Sequence, residues 1–297
     1  MSATSGQAAA RVIEGGRAVV AGLVSGLAYL LRRPAHRVPA PRVVRAGWPE
    51  ILAGLAVGIG LVVAAMLLVD PLVAGLRSRL AAPVLVVAER LTDLGLGGVV
   101  LWPLGLLLAY VLALRGTLDD MGRRVASAVI ARLGFLFLSI AGVGLLVTVV
   151  KRLLGRARPY AAWHLPGEYP QLTFHWLAWK STFASFPSGH ATTVFATAVA
   201  FGALYPRARR ALLALAVVVA ATRVVLGSHF PSDVIAGGVV ACVFVLWMVK
   251  VFAARRLVFQ VDAEGCIAPM AGPSARRLGL LLPWCRRSPV SLEEARS

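Results

Sequence analysis

The sequence predicts an all-α fold: a bundle of six transmembrane helices with one amphipathic helix at the membrane interface. Three observations lead there. Hydrophobic residues make up 59% of the 297-residue chain and the mean hydropathy is +0.79, more apolar than a soluble domain of this length. The apolar residues form long runs, several of them matching the roughly 17–25 residues that cross a bilayer. The basic residues, which give a formal charge of +18, lie in the gaps between those runs. That placement is the mark of positive-inside topology and argues against nucleic acid as a partner.

The elements follow in order. Residues 1–50 form a basic N-terminal segment. Within it, Ala18–Leu31 is apolar but only 14 residues long, short for a span and suited to an interfacial or re-entrant helix. Ile51–Val69 is the first span. Pro71–Leu91 mixes Arg77, Arg79, Glu89 and Arg90 with apolar residues, the pattern of an amphipathic helix on the membrane surface. Gly97–Leu114 and Ala126–Val150 are the second and third spans. An extracytoplasmic loop, Lys151–Phe186, separates spans three and four. Its Trp163, Trp176 and Trp179 suit the headgroup level, and His164, His175 and Glu168 read as interfacial. His190–Tyr205, Ala211–Leu226 and Val234–Ala253 complete the six, the first two just reaching across. The membrane domain is thus 51–254, and 255–297 is a basic, loop-like tail with a small apolar patch at Leu278–Trp284. Cys242, Cys266 and Cys285 fit no zinc spacing and read as unpaired structural thiols.

Charge orients the bundle. With the N-terminus in the cytoplasm, the outer side holds Arg77, Arg79, Arg90, Lys151, Arg152, Arg156, Arg158, Lys180 and Arg223; the other 22 of the 31 Lys and Arg fall to the inner side, Arg132 and Lys250 among them within spans three and six. Both termini are then cytoplasmic. The end of span three (Lys151), the start of four (Pro187–His190), the end of five (Arg223) and the start of six (Asp233) all face outward.

Those four ends carry chemistry. His229 and Asp233 stand four apart, with Pro231 opening a helix. A carboxylate there can hold one imidazole nitrogen and leave the other free to attack; a capping Asp beside an interfacial His is the plainer alternative. Ser188-Gly189-His190 stands at a helix start, where backbone N–H groups favour an anion and glycine allows close approach. His190 could then serve as a general acid, or Ser188 could be a simple N-cap. Lys151, Arg158 and Arg223 supply cations, and the planar arginine fork can hold two phosphate oxygens.

Lys151-x6-Arg158-Pro159, Pro187-Ser188-Gly189-His190 and Arg223-x5-His229-x3-Asp233 resemble the three signature motifs of the type 2 phosphatidic acid phosphatase (PAP2) family, in its integral-membrane branch. One position departs: Thr222 stands where the family usually has Ser. The resemblance implies that His229 attacks phosphorus and forms a phosphohistidine, that Asp233 orients it, and that His190 protonates the leaving group and then activates water. It implies that Lys151, Arg158, Arg223, Ser188 and Gly189 hold the phosphoryl oxygens, and that no metal or other cofactor is needed.

The expectation is a phosphatase acting on a lipid phosphate or pyrophosphate, at the outer leaflet of a bacterial inner membrane. A site at span ends lies at headgroup depth, which favours a lipid-borne phosphate. Undecaprenyl pyrophosphate, phosphatidylglycerophosphate, phosphatidic acid and the phosphates of lipid A are the candidates. A lipid phosphotransferase using the same intermediate is the alternative within the same chemistry. A non-catalytic lipid- or anion-binding membrane protein is the alternative outside it.

Overall fold

A computed structural model describes residues 3–31, 48–165, 169–262 and 265–282. Glu168, Cys285, the end of the apolar patch at Pro283–Trp284, and most of the basic stretches at 32–47 and 283–297 lie outside the described residues. The chain is mostly helical and falls into two compact units. One comprises Met1–Ala35, Gly105–Gly134 and Met270–Ser297; the other comprises His36–Leu104 and Phe135–Pro269.

The principal helices are α1 (Ala3–Leu31), α2 (Trp48–Leu68), α3 (Ala82–Thr92), α4 (Gly97–Arg115), α5 (Asp120–Leu154), α6 (Gly189–Leu204), α7 (Arg209–Val225) and α8 (Pro231–Ala254). Among the described residues, four helical stretches are long and apolar enough to cross a membrane: Pro49–Leu68, Ala82–Arg115, Asp120–Leu154 and Pro231–Ala254. The α6 helix is apolar but has only 16 residues, and α7 has 17 with basic residues at both ends. The coarse expectation of a helical membrane protein therefore holds, with four clear spans rather than six by length and composition.

Four elements differ from expectation. The α1 helix covers 29 residues, twice the apolar run, because good helix formers before it, Gln7 through Arg11 among them, extend the same helix in spite of Gly6, Gly15 and Gly16. The stretch 70–92 is not one amphipathic helix. It breaks into a 3-10 turn at Asp70–Val73, a single turn at Leu76–Arg79, and α3. Gly75 sits at φ 65° between the first two, and Pro71 and Pro83 each open a new turn. The α5 helix runs on past Val150, so Lys151 belongs to its last turn. The tail is not all loop: β1 (Phe259–Val261) pairs antiparallel with β2 (Ile267–Pro269), and a helical turn follows at Ala275–Leu278.

In the first unit, α1 meets α4 through glycines. A Cβ at Gly22 would lie 2.6 Å from the Leu112 carbonyl oxygen, and one at Gly116 would collide with the Ala18 carbonyl. Small residues here let two backbones touch. Arg132 ties α5 to the tail by donating to the carbonyls of Met270 and Ala271, both at 2.8 Å.

In the second unit, Ala191, Val194 and Ala198 of α6 pack against Ala216, Val219 and Ala220 of α7, and Val234 of α8 joins the same cluster. A Cβ at Gly237 would stand 2.6 Å from the Ser188 carbonyl oxygen and 3.0 Å from Thr192 Oγ1, so α8 runs against the very start of α6. Phe135 packs edge-on against Phe252 and Phe259 at 5.3 and 5.0 Å. Many apolar side chains on α2, α4 and α5 stay exposed, among them Val57, Leu61, Leu106 and Leu145. On a membrane protein that surface faces lipid.

Gly237→Ala is expected to destabilise the purified protein by roughly 1–3 kcal/mol, because its methyl group meets backbone that cannot move aside. Gly60→Ala, with nothing within 4 Å of the new Cβ, should be neutral or slightly stabilising. Thermal unfolding in detergent compares the two.

Candidate active site

Three local features bring the motif residues to one end of the second unit. The first is the close of α5. Gly155 takes φ 58°, its N–H donates to the Lys151 carbonyl at 3.1 Å, and a Cβ there would collide with the His175 carbonyl. This left-handed glycine ends the helix and turns the chain into an extended piece. Ala157 N–H donates to Thr173, Arg158 N–H to Thr182, and Ser185 N–H to the Arg156 carbonyl. Arg156 and Arg158 are thereby fixed by backbone pairing on both sides.

The second feature is the start of α6. Ser188 is the N-cap, its hydroxyl accepting from Ala191 N–H at 3.5 Å, and its own N–H donates to the Asp233 carbonyl at 2.9 Å. Its side chain is fully buried, so the plainer reading of Ser188 as a helix cap is observed. Lys151 Nζ lies 3.6 Å from the ideal Cβ position of Gly189, which puts the ammonium over the first turn of α6. The third feature is the link between α7 and α8. The Arg223 carbonyl accepts from both Ser228 N–H (3.0 Å) and His229 N–H (3.2 Å), and Gly227 supplies the φ of 62° that the turn requires.

His229 emerges from that turn 2% exposed. Its Nδ1 faces Asp233 Oδ2 at 3.6 Å and Ser185 Oγ at 3.5 Å. Asp233 Oδ2 accepts from the Ser185 hydroxyl (2.6 Å) and the Phe230 N–H (2.8 Å), while Oδ1 accepts from Arg156 Nη1 (2.6 Å). The expected His–Asp pairing is thus present with its Nδ1 side toward the carboxylate. The contact is longer than a formed hydrogen bond, and a shift of about half an ångström closes it. Burial pushes the His229 imidazole down to about 4; Asp233 opposes that shift, while the cations Lys151 and Arg158 add to it.

The remaining predicted residues gather around this pair. Arg158 donates through Nε to the Ser181 carbonyl (3.0 Å) and through Nη1 to the Ser228 carbonyl (3.3 Å). Arg223 Nη1 donates to Thr92 Oγ1 at 2.9 Å, and its Nε is buried with no partner. His190 packs against Gly95, whose ideal Cβ would be 3.0 Å from the ring. Thr222 turns its hydroxyl back to the Val219 carbonyl at 2.6 Å, so the departure from the family's usual Ser is absorbed within α7. Among the described residues no group of three or more His, Cys, Asp or Glu is arranged to hold a metal. His175 packs at a tilt against Phe183 at 4.3 Å and Trp163 edge-on against Phe230 at 6.1 Å, while Trp176 and Trp179 are exposed.

Sequence reasoning missed several residues. Arg156, counted only as an outer charge, is fully buried. It donates to Asp233, to Ser232 Oγ (2.7 Å), to Asp70 Oδ2 (2.7 Å) and twice to the Gln171 carbonyl (3.0 and 2.6 Å). Asp70 in turn accepts from Ser232 N–H (3.0 Å) and the Ser232 hydroxyl (2.5 Å). Thr92 and Ser185 were also passed over. One signal was available: acids are scarce, 13 Asp and Glu in the whole chain, and an acid beside an apolar run needs a partner.

Comparison with known proteins agrees with this geometry. A family model described as PAP2 superfamily matches residues 132–257. A Lipid A 1-phosphatase of Rhizobium johnstonii is 36% identical over 227 residues, covering 76% of this chain and 88% of the relative. The chain belongs to the PAP2 superfamily. A Lipid A 1-phosphatase of Rhizobium etli is 41% identical over 144 residues, 48% of this chain and 58% of that relative. No solved structure matches. The family expected from the three motifs is therefore the right one, and with it the expectation of a phosphatase for a membrane lipid. The family match encloses all three motifs of this PAP2 member but not Asp70 or Thr92.

Because burial disfavours the imidazolium, His229 should stay neutral from roughly pH 8 to pH 5.5, where a free imidazole titrates. Nitrogen-15 histidine spectra in detergent micelles check this, with His229→Gln assigning the signal. A resonance titrating near the usual 6.5 would contradict the burial argument.

Proposed function

We propose that this PAP2 member is a bacterial inner-membrane enzyme that removes a phosphate from a lipid A-type glycolipid, at the outer leaflet, through a phosphohistidine. The observation that carries the reading is the convergence of His229, backed by Asp233, with His190 and the cations Lys151, Arg158 and Arg223. The relatives' names support the substrate. No arrangement of side chains singles out undecaprenyl pyrophosphate or phosphatidylglycerophosphate.

The chemistry follows from the positions. Asp233 receives the Nδ1–H of His229, so the Nε2 lone pair attacks phosphorus. The bond from phosphorus to the lipid oxygen breaks, and His190 gives that oxygen a proton. His190 then takes a proton from water, whose oxygen attacks phosphorus and breaks the bond to Nε2. The products are the free lipid hydroxyl and inorganic phosphate. Lys151, Arg158, Arg223 and the first-turn N–H groups of α6 balance the charge on the equatorial oxygens. The unpartnered Nε of Arg223 supports this role, because a buried donor without a partner is costly unless an anion completes it.

The proposed topology keeps six spans, with α6 and α7 as the short ones, and takes 51–254 as the catalytic domain. The ends at Lys151, Gly189, Arg223 and Asp233 then share the periplasmic face, and both termini are cytoplasmic.

Purified protein with lipid A in mixed micelles should release inorganic phosphate and leave a lipid lighter by one phosphate in the mass spectrum. His229→Ala should lose several orders of magnitude in rate, since the covalent route is gone. His190→Ala should lose roughly 10²–10⁴-fold. A folded His229→Ala variant as fast as the parent would refute the nucleophile, and label passing to an acceptor lipid instead of to phosphate would make the enzyme a transferase.

Orientation is tested with single cysteines in a cysteine-free background. Trp179→Cys should react with a membrane-impermeant maleimide in spheroplasts, and Arg210→Cys only after lysis. The reverse pattern would invert the topology.

A further inference from the structure

The group behind His229 holds more charge than a His–Asp pair needs. Arg156, Asp70 and Asp233 are all fully buried. Two carboxylates and one guanidinium carry a net charge of −1. Arg156 has five N–H donors and uses all five, dividing its fork between the two acids. On Asp233 it takes only Oδ1. The oxygen toward the imidazole, Oδ2, is held by neutral donors, the Ser185 hydroxyl and the Phe230 N–H. With Asp233 as its sole acid, Arg156 would cancel the charge, and His229 would face a neutral pair.

We propose that Asp70 is a positioning residue for phosphoryl transfer: it takes up part of the charge of Arg156, so that the buried cluster presents one net negative charge to His229. The proposal rests on the reading of His229 as the attacking group. As Nε2 bonds to phosphorus, positive charge develops on the ring. A negative cluster on the Nδ1 side stabilises that state more than the neutral imidazole, which is the condition for lowering a barrier. The need is acute here, since Lys151 from α5, Arg158 from the loop after it and Arg223 from α7 bring positive charge to the same pocket, with the second imidazole, His190, on α6.

A merely structural role would have Asp70 tie the 3-10 turn at Asp70–Val73 to the start of α8 through Ser232. Two variants separate the accounts. Asp70→Asn keeps the shape and removes the charge. Ser232→Ala keeps the charge and removes hydroxyl bonds to both Asp70 and Arg156. With lipid A as substrate, Asp70→Asn is expected to lower kcat roughly 10- to 100-fold with KM within about threefold. Its acid limb should move to lower pH, because losing a nearby negative charge makes His229 harder to protonate. Ser232→Ala should keep at least about a third of kcat and leave the limb in place. An Asp70→Asn variant with parental kcat or an unmoved limb overturns the proposal, as does a Ser232→Ala variant that reproduces its loss.

If Asp70→Asn does not fold, the double variant Asp70→Asn/Arg156→Gln decides, since its cluster again carries −1. Turnover within about tenfold of the parent supports the charge account, and absent turnover overturns it. Should the parent not act on lipid A, the substrate reading fails alone. Binding of orthovanadate, a five-coordinate phosphorus mimic, then gives the comparison by calorimetry. Binding weakened about tenfold or more in Asp70→Asn, or in the double variant's case restored, supports the proposal; unchanged binding overturns it.

Discussion

The second unit is organised around one guanidinium that has no access to water. A buried arginine is tolerated only when its charge is balanced and each of its donors is met. Arg156 meets that condition with partners from far-apart places in the chain: Asp70 after α2, the Gln171 carbonyl in the loop, and Ser232 with Asp233 at the start of α8. Phe230 adds its ring face 4.5 Å from the guanidinium. Removing either acid would leave buried guanidinium donors without an acceptor, so these segments cannot separate independently. The orientation of Asp233, and hence of His229, follows from the same requirement.

Helix ends do the rest. Gly155 stops α5 where Lys151 can reach over Gly189, and Gly227 turns the chain so that His229 points back across the end of α7. Gly237 lets α8 approach α6 until Ser188 N–H reaches the Asp233 carbonyl. Each is a backbone need that a side chain would violate. The reactive groups therefore sit on short, pinned segments rather than on a mobile loop, which keeps them near a productive geometry.

Much of this was legible in the sequence, though unevenly. Apolar runs located α2, α4, α5, α6, α7 and α8 because hydrophobic length is a one-dimensional signal. The motif residues were found because each cluster is local: His229 and Asp233 are four apart and Ser188 and His190 two apart. Arg156 and Asp70 escaped because their meaning is a contact between distant segments, and neither stands out within its own window. The helix expected over Pro71–Leu91 failed for a related reason. Amphipathic spacing was present, but Gly75 and two prolines break the helix, and the anchor at its start, Asp70, answers to Arg156 and not to the local pattern. Among the described residues four spans rather than six meet the length criterion, because α6 has only 16 residues and α7 only 17.

Arg156, fully buried, and Arg223, half-buried, also differ in how their donors are met. Arg156 is closed, with all five donors met by four acceptor atoms. Arg223 is open: Nη1 is steadied by Thr92 while Nε lies buried with no acceptor. Arg158 donates to the carbonyl oxygens of Ser181 and Ser228, which steady a guanidinium without neutralising it. Gathering Arg158, Arg223 and Lys151 at one helix start without matching acids costs energy in the empty protein. On the proposed function a bound phosphate dianion would reverse that sign, because the same cations and the N–H groups of α6 would then surround opposite charge. The acids Asp70 and Asp233 stand behind His229 instead, where, on the same proposal, they favour charge on the ring and leave the pocket of cations positive.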